Sequence, residues 1–342
     1  MNFNKIFSSN GVFAAGKPIL VYGDGEGVGK VEFAGNVNDV VCENGRWETQ
    51  FSPMPYGGPY TMKLTTDDSE TVLDNIYIGE VYLLSGQSNI ELKLKDTNTP
   101  EDLHKTNEML RCFFVDKITS NGLFSPDNGW VTAHKDTVYD WSAVGYLTGC
   151  EIAEKKNIAI GLINCSQGAA IIESWVPQGT FESIGINIPI EEKAVGHRMP
   201  EYQRWNTFGA LYEKQLRQVF PYQLSGVIWY QGESDAVGRE AEVYHLELEE
   251  LIRRWREDFR DEELPFWVIQ IHDYFTDDWY RDNEGWKKLQ AAQLKIQTMT
   301  HNVTTVISRD VCETDDIHPQ TKTALSHRLA EAIMKSTDNS DL

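Results

Sequence analysis

A chain of 342 residues, 41% hydrophobic and 24% charged, has the composition of a folded globular protein with room for one large domain or a main domain and a small companion. Its formal net charge of −21 argues against a nucleic-acid or anionic-membrane partner, since both need a positive footprint. The five cysteines (Cys42, Cys112, Cys150, Cys165, Cys312) show no paired spacing, which argues against a disulfide framework and fits a reducing compartment.

The opening residues Met1 to Lys5 lead into no apolar stretch of signal-peptide length, and no segment is apolar enough to span a bilayer. The literal expectation is a cytoplasmic protein, or a secreted one if the sequence was trimmed. Residues 1–75 alternate in short runs (Ile19–Tyr22, Gly29–Ala34, Arg46–Phe51, Tyr60–Leu64) broken by turn residues such as Gly23–Gly27, Glu43–Gly45 and Pro55–Pro59. That texture predicts a small antiparallel β-sandwich. Residues 76–337 change character, with strands expected at Ile76–Leu84, Leu110–Val115, Ile158–Asn164, Gly226–Tyr230, Pro265–Ile271 and Val303–Ile307. Helices are expected between them at Gly145–Lys156, Thr207–Phe220, Glu240–Phe259, Gly285–Thr300 and Thr321–Lys335, and residues 338–342 as a frayed end. The alternation implies an α/β fold with a central parallel sheet covered on both faces.

In such a sheet the site lies at the carboxyl ends of the strands. There the first strand runs into Ser85-Gly86-Gln87-Ser88-Asn89, which also reads as a simple strand-to-helix turn with a capping residue. Near the other end of the chain, Asp315-Asp316-Ile317-His318-Pro319 spaces a carboxylate three residues before an imidazole, as a pair that fixes a histidine tautomer requires. The competing reading is a loop aspartate capping the final helix. Ile163-Asn164-Cys165-Ser166-Gln167-Gly168 ends another strand on small residues, and the Gly168 N–H is a candidate donor to an oxyanion. At a third strand end, Trp229-Tyr230-Gln231-Gly232-Glu233-Ser234-Asp235 offers the Gln231 amide for the same oxygen and the Glu233 or Asp235 carboxylate to orient other groups. Tryptophans on the long loops (Trp130, Trp141, Trp175, Trp205, Trp279) suit stacking on sugar rings, though each alone is more often a packing residue.

Each signal is modest, but Ser88, Gly168, Gln231 and Asp315/His318 fall in order at the ends of expected strands. Gly79–Asn89, Ile172-Glu173-Ser174-Trp175, Gly226–Ser234 and Asp316-Ile317-His318-Pro319 together resemble the sialate O-acetylesterase family of SGNH, or GDSL-like, serine esterases. Gly57–Tyr60 and Gly45-Arg46-Trp47 resemble that family's small β domain, so the likeness runs through nearly the whole chain. The resemblance implies a three-layer α/β/α sandwich of SGNH type with an amino-terminal β-sandwich. It also implies a Ser88 nucleophile, a His318 base, an Asp315 orienting acid, and oxyanion donors at Ser88 N–H, Gly168 N–H and Gln231. Gln87, Asn89, Glu233 and Trp175 are candidate substrate or supporting residues. Three positions depart from the family pattern: Gly168-Ala169-Ala170 for Gly-Gly-Thr, Gln231 for the asparagine usual in the superfamily, and Gln290 for an arginine.

The reaction so implied deacetylates a sugar through an acetyl-enzyme and needs no metal or organic cofactor. The histidines show no metal spacing, and the acidic run Asp277 to Glu284 lacks the calcium-loop pattern. The partner expected is an acetylated sugar or oligosaccharide. An acetylxylan or other plant-polysaccharide esterase is the nearest alternative, and the negative charge leans toward it unless cations such as Arg198 and Arg204 line the site. A sugar-binding protein without catalysis is the more distant one.

Overall fold

The computed structural model of the protein describes residues 1–119, 121–126, 129–189, 192–193, 199–277 and 282–338. The molecule is mixed α/β, built on a large mixed sheet. Its spine is a 17-residue strand, β1 (Glu70–Gly86), whose buried run Ile78 to Gly86 has the continuous apolar character of a strand covered on both faces. Around it lie β2 (Asn107–Phe114), β3 (Trp130–Ala133), β4 (Ile160–Ser166), β5 (Gly226–Tyr230), β6 (Phe266–Ile269) and β7 (Val303–Val306), in the spatial order β3-β2-β4-β1-β5-β6-β7. All neighbours are parallel except β3, which runs antiparallel to β2 along one edge and was not expected from the sequence.

The amino-terminal strands pair antiparallel except Val12–Ala14, which runs parallel to β1. Asn2–Phe3, Ile19–Asp24 and Arg46–Phe51 form one sheet. Val28–Phe33, Asn36–Val41 and Gly57–Thr66 pair in series onto the first half of β1. The expected division at residue 75 therefore falls inside β1, which belongs by its first half to these strands and by its second to the parallel array. Phe33 and Phe51 meet edge to face between the two sheets, with ring centroids 5.8 Å apart.

Two helix pairs pack on the sheet. Helix α1 (Ala143–Lys156) begins at Ser142, whose hydroxyl accepts from Gly145 N, and ends at Asn157 in the left-handed conformation, an ordinary cap at each end. It packs with α2 (Thr323–Asp338). Helix α3 (Gly238–Phe259) buries Tyr244, Leu248, Leu251, Ile252, Trp255 and Phe259, the three-and-four spacing of a single face, and packs on α4 (Asn283–Met299). The helix expected over 207–220 is broken into Ala210–Lys214 and a short 3-10 turn, Leu216–Gln218. Among the described residues no helix is long and apolar enough to cross a membrane.

The register sets up the site. Gly86 stands opposite Ser166 of β4 on one side and Tyr230 of β5 on the other, so three strand ends come level. Gly86 has φ +128°, and a Cβ there would come within 2.1 Å of Tyr230 O. Only glycine lets the chain turn there, and the turn carries Ser88 out over the sheet edge.

Candidate active site

Ser88 opens a four-residue helical turn, Ser88–Glu91. Its Oγ lies 2.8 Å from Nε2 of His318, a contact between residues 230 apart in sequence. The loop presenting His318 is tied down from three sides. Asn89 Nδ2 donates to Ile317 O at 3.0 Å, His272 Nε2 donates to Asp316 O at 2.8 Å, and the Asp316 carboxylate accepts from His318 N at 2.8 Å. His272 sits beyond the end of β6 and carried no role in the sequence reading; its position three residues past a buried strand was the available signal. Burial holds its imidazole down at about 4, so at neutral pH it is uncharged and donates as an N–H to that carbonyl.

Asn89 is wholly buried and organises the polar interior. Besides Ile317 O, its amide donates to Glu233 Oε1 at 2.6 Å, and its Oδ1 accepts from Lys322 Nζ at 2.8 Å. Burial lowers the Lys322 ammonium to about 8 even with Glu233, Glu313 and Asp316 nearby. Gln87, also buried, accepts from Gly232 N at 3.2 Å and Ser234 N at 3.3 Å through its side-chain oxygen. The residues on either side of Ser88 thus clasp the loops around it, and Glu233 serves that network.

Gly168 lies beside Ser88: a Cβ built on it would be 3.8 Å from Ser88 Cβ. The loop it opens is held by side chains. The carbonyls of Gly168, Ala169 and Ala170 each accept a side-chain bond, from Trp205 Nε1 at 2.9 Å, Asn206 Nδ2 at 2.7 Å and Gln231 Nε2 at 3.0 Å. These bonds fix the three peptide units that follow the Gly168 N–H. That N–H donates at 2.5 Å to Oε2 of Glu91, the residue one helical turn beyond Ser88, and the other Glu91 oxygen is paired with Lys117.

Three expectations are corrected. Gln231 is not placed to donate to an oxyanion: it is fully buried, its Nε2 is committed to Ala170 O and the Asp235 carboxylate, and its Oε1 accepts from Tyr244 at 2.7 Å. Asp315 is exposed and, among the described residues, neither hydrogen-bonded nor ion-paired, so it does not reach the imidazole; the neighbouring Asp316 is the carboxylate engaged with His318, through the backbone. Trp175 is 0% exposed and packs edge-on against Trp229 and Trp255, which makes it core. Trp130, Trp141 and Trp205 are likewise buried, while Trp279 and Arg198 lie outside the described residues and Arg204 is exposed. Gln290 faces inward, donating to Ile271 O, His272 O and Asp273.

Under the Gln231 loop, oxygens of Glu173, Asp235 and Glu240 lie within 4.8 Å of one another, a spacing a cation could use. The cluster carries its own cation, because Lys193 Nζ is ion-paired with Glu173 and Glu240 and lies 3.8 Å from Asp235. Burial, only partly offset by Lys193, pushes the Glu173 carboxyl up to about 7. A cleft of about 1310 Å³ lined by Lys17, Tyr56, Glu80, Asp261 and Pro265 opens at the amino ends of the parallel strands, the opposite end from Ser88.

A nucleophile-sized hydroxyl on an imidazole, beside a backbone N–H that already binds an anionic oxygen, is an arrangement suited to acyl transfer. The comparisons agree in kind. A model of the family described as carbohydrate esterase, sialic acid-specific acetylesterase matches residues 78–335. The chain is 25% identical to the sialate O-acetylesterase of Mus musculus, over 86% of this chain and 63% of that protein, and 24% identical to that of Homo sapiens, over 86% and 61%. It spans less than two thirds of the length of these relatives. A solved carbohydrate acetylesterase from Xanthomonas citri superposes with a TM-score of 0.83 at 26% identity, covering 97% of this chain and 74% of that one. The chain belongs to the carbohydrate esterase family of sialic acid-specific acetylesterases.

Proposed function

We propose that this protein is a serine esterase that removes O-acetyl groups from sugars, with Ser88 as nucleophile and His318 as general acid and base. The observation that carries the reading is the 2.8 Å contact between Ser88 Oγ and His318 Nε2 at the level edge of the sheet. The two helix pairs are read as the outer layers of an SGNH-type three-layer sandwich, with the amino-terminal strands as a β-sandwich against it.

Ser88 Oγ bonds to the acetyl carbon as its proton passes to Nε2, and the carbonyl oxygen becomes an oxyanion. The first-turn N–H of Ser88 has no intrahelical partner and, with the Gly168 N–H, supplies the donors. A preorganised donor of this kind is worth roughly 3 kcal/mol. His318 then returns the proton to the departing sugar oxygen. A water, deprotonated by the same imidazole, cleaves the acetyl-enzyme to acetate and restores Ser88. The His318 loop is held by Asn89, His272 and Asp316, which anchors the backbone that carries the imidazole. An acetylated sialic acid is the substrate favoured by the family match and the names of the relatives.

Ser88→Ala should lower turnover of an aryl acetate on the order of ten-thousand-fold with unchanged circular dichroism, and a fluorophosphonate should label the wild type at Ser88 only. Turnover that persists in the variant would remove Ser88 from the mechanism.

A further inference from the structure

The contact between Glu91 and Gly168 raises a problem for catalysis that also suggests a use. Glu91 Oε2 accepts the Gly168 N–H at 2.5 Å, so the resting site holds a carboxylate where the acetyl oxygen would develop its charge. A hydrogen bond to a charged acceptor is roughly twice as strong as one to a neutral carbonyl, so an ester carbonyl alone competes poorly for that N–H. What keeps the carboxylate there is on its other side. Lys117, at the start of the hairpin Lys117–Thr119/Gly122–Phe124, pairs with Glu91 Oε1. The Lys117 side chain is 26% exposed and that of Glu91 31%, so solvent and a ligand reach both.

We propose that Glu91 and Lys117 form a charge lock on the Gly168 oxyanion donor, and that the carboxylate of an acidic acetylated sugar opens it by replacing Glu91 as the counter-ion of Lys117. This rests on the esterase reading above and names the residues that choose its substrate. The exchange keeps Lys117 paired: it trades one carboxylate for another, and the displaced Glu91, 31% exposed, turns to water and leaves the Gly168 N–H to the acetyl oxygen. A neutral sugar ester must instead break the Glu91–Lys117 pair and offer nothing to Lys117. The site therefore discriminates through the cost of the unpaired group and not through extra contact area. Lys117 supplies the local cation that an acidic substrate needs on a chain of net charge −21.

The decisive comparison is between a 9-O-acetylated sialic acid and its methyl ester, which carry the same acetyl group with and without the negative charge. Wild-type enzyme should favour the free acid by tenfold or more in kcat/KM. Lys117→Met should bring that ratio close to one, Lys117→Arg should keep most of it, and Glu91→Ala should raise kcat/KM for the methyl ester several-fold by uncovering Gly168. Equal wild-type rates on the two esters, or a ratio that Lys117→Met leaves in place, would overturn the lock. Aryl acetate turnover that Ser88→Ala abolishes reports the esterase separately, so a lock that fails while that turnover stands leaves the proposed function intact.

Discussion

The loops that follow β4 and β5 flank Ser88 symmetrically, and from sequence both look like sources of an oxyanion donor. They do opposite things. The β4 loop presents the Gly168 N–H, which Glu91 accepts at 2.5 Å, and Trp205, Asn206 and Gln231 hold the three carbonyls that follow it. The β5 loop offers nothing to the substrate through Gln231, whose amide is spent on holding its neighbour and on Asp235. In the proposed mechanism one loop is the donor and the other is its support. A side-chain amide at a strand end becomes a catalytic donor only if its partners leave an N–H over, and burial makes that accounting strict, since an unmade buried bond costs about 1–3 kcal/mol.

The largest way to disturb this division is at Asn89, which ties the β5 loop to the His318 loop. Asn89→Ala removes a buried partner from each of Lys322, Glu233 and Ile317 O, and should cost about 3–5 kcal/mol of unfolding free energy. Folded enzyme should also lose at least about tenfold in kcat, because Ile317 precedes His318. Chemical denaturation and aryl acetate kinetics read the two effects, and an unchanged kcat would mean that Asn89 does not position the imidazole.

The support side is also where pH should act. His272 has its folded value depressed from 6.5 to about 4 by burial, so between pH 4 and 6.5 the unfolded chain binds the proton and the folded one does not. Its contribution to stability is complete above pH 6.5 and disappears as pH falls toward 4, up to about 3 kcal/mol in all. Glu173, raised to about 7, works the other way and loses stability as pH rises from 4.5 to 7. The wild-type curve mixes the two. His272→Gln keeps a donor for Asp316 O without titrating, so the wild-type minus variant difference should grow with pH from 4 to 6.5; a flat difference would rule out a depressed His272.

Gln231→Leu tests the comparison directly. It removes bonds to Ala170 O, Asp235 and Tyr244, and should cost about 2 kcal/mol in stability. A supporting residue should show a kcat loss of less than about tenfold in the folded fraction, whereas an oxyanion donor would cost on the order of a hundred- to a thousand-fold. The larger loss would restore Gln231 to the donor set.

The sequence pattern was informative about strands and chain order and much less so about where side chains point. Continuous apolar runs located β1, β2, β4, β5, β6 and β7, since a strand buried on both faces has little freedom in composition. The partnership of Ser88 with His318 was readable because both stand at the site edge of one sheet. Directions were not readable. Asp315 and Asp316 are adjacent and chemically alike, and only the loop path decides which carboxylate meets His318. Trp175 and Trp205 follow strand ends as sugar-stacking residues would, yet tertiary packing places both in the interior. Glu91, in the helical turn after β1, and Lys117, in the hairpin after β2, carry no signal of their pairing at all.

The smallest expected effect concerns Ala169, where the family pattern has glycine. Ala169 sits at φ +56°, a left-handed conformation that costs a residue with a Cβ about 1–2 kcal/mol. Glycine would remove that strain but give the unfolded chain more freedom, worth about 0.5–1 kcal/mol against it. Ala169→Gly should therefore stabilise the protein by up to about 1 kcal/mol, seen as a higher denaturation midpoint at unchanged slope. It should also lower kcat slightly, because a second glycine beside Gly168 loosens the backbone next to that N–H. A lower midpoint would mean that Trp205, Asn206 and Gln231 hold the loop so firmly that the alanine is no burden, which would strengthen the contrast between a donor loop and the residues that fix it.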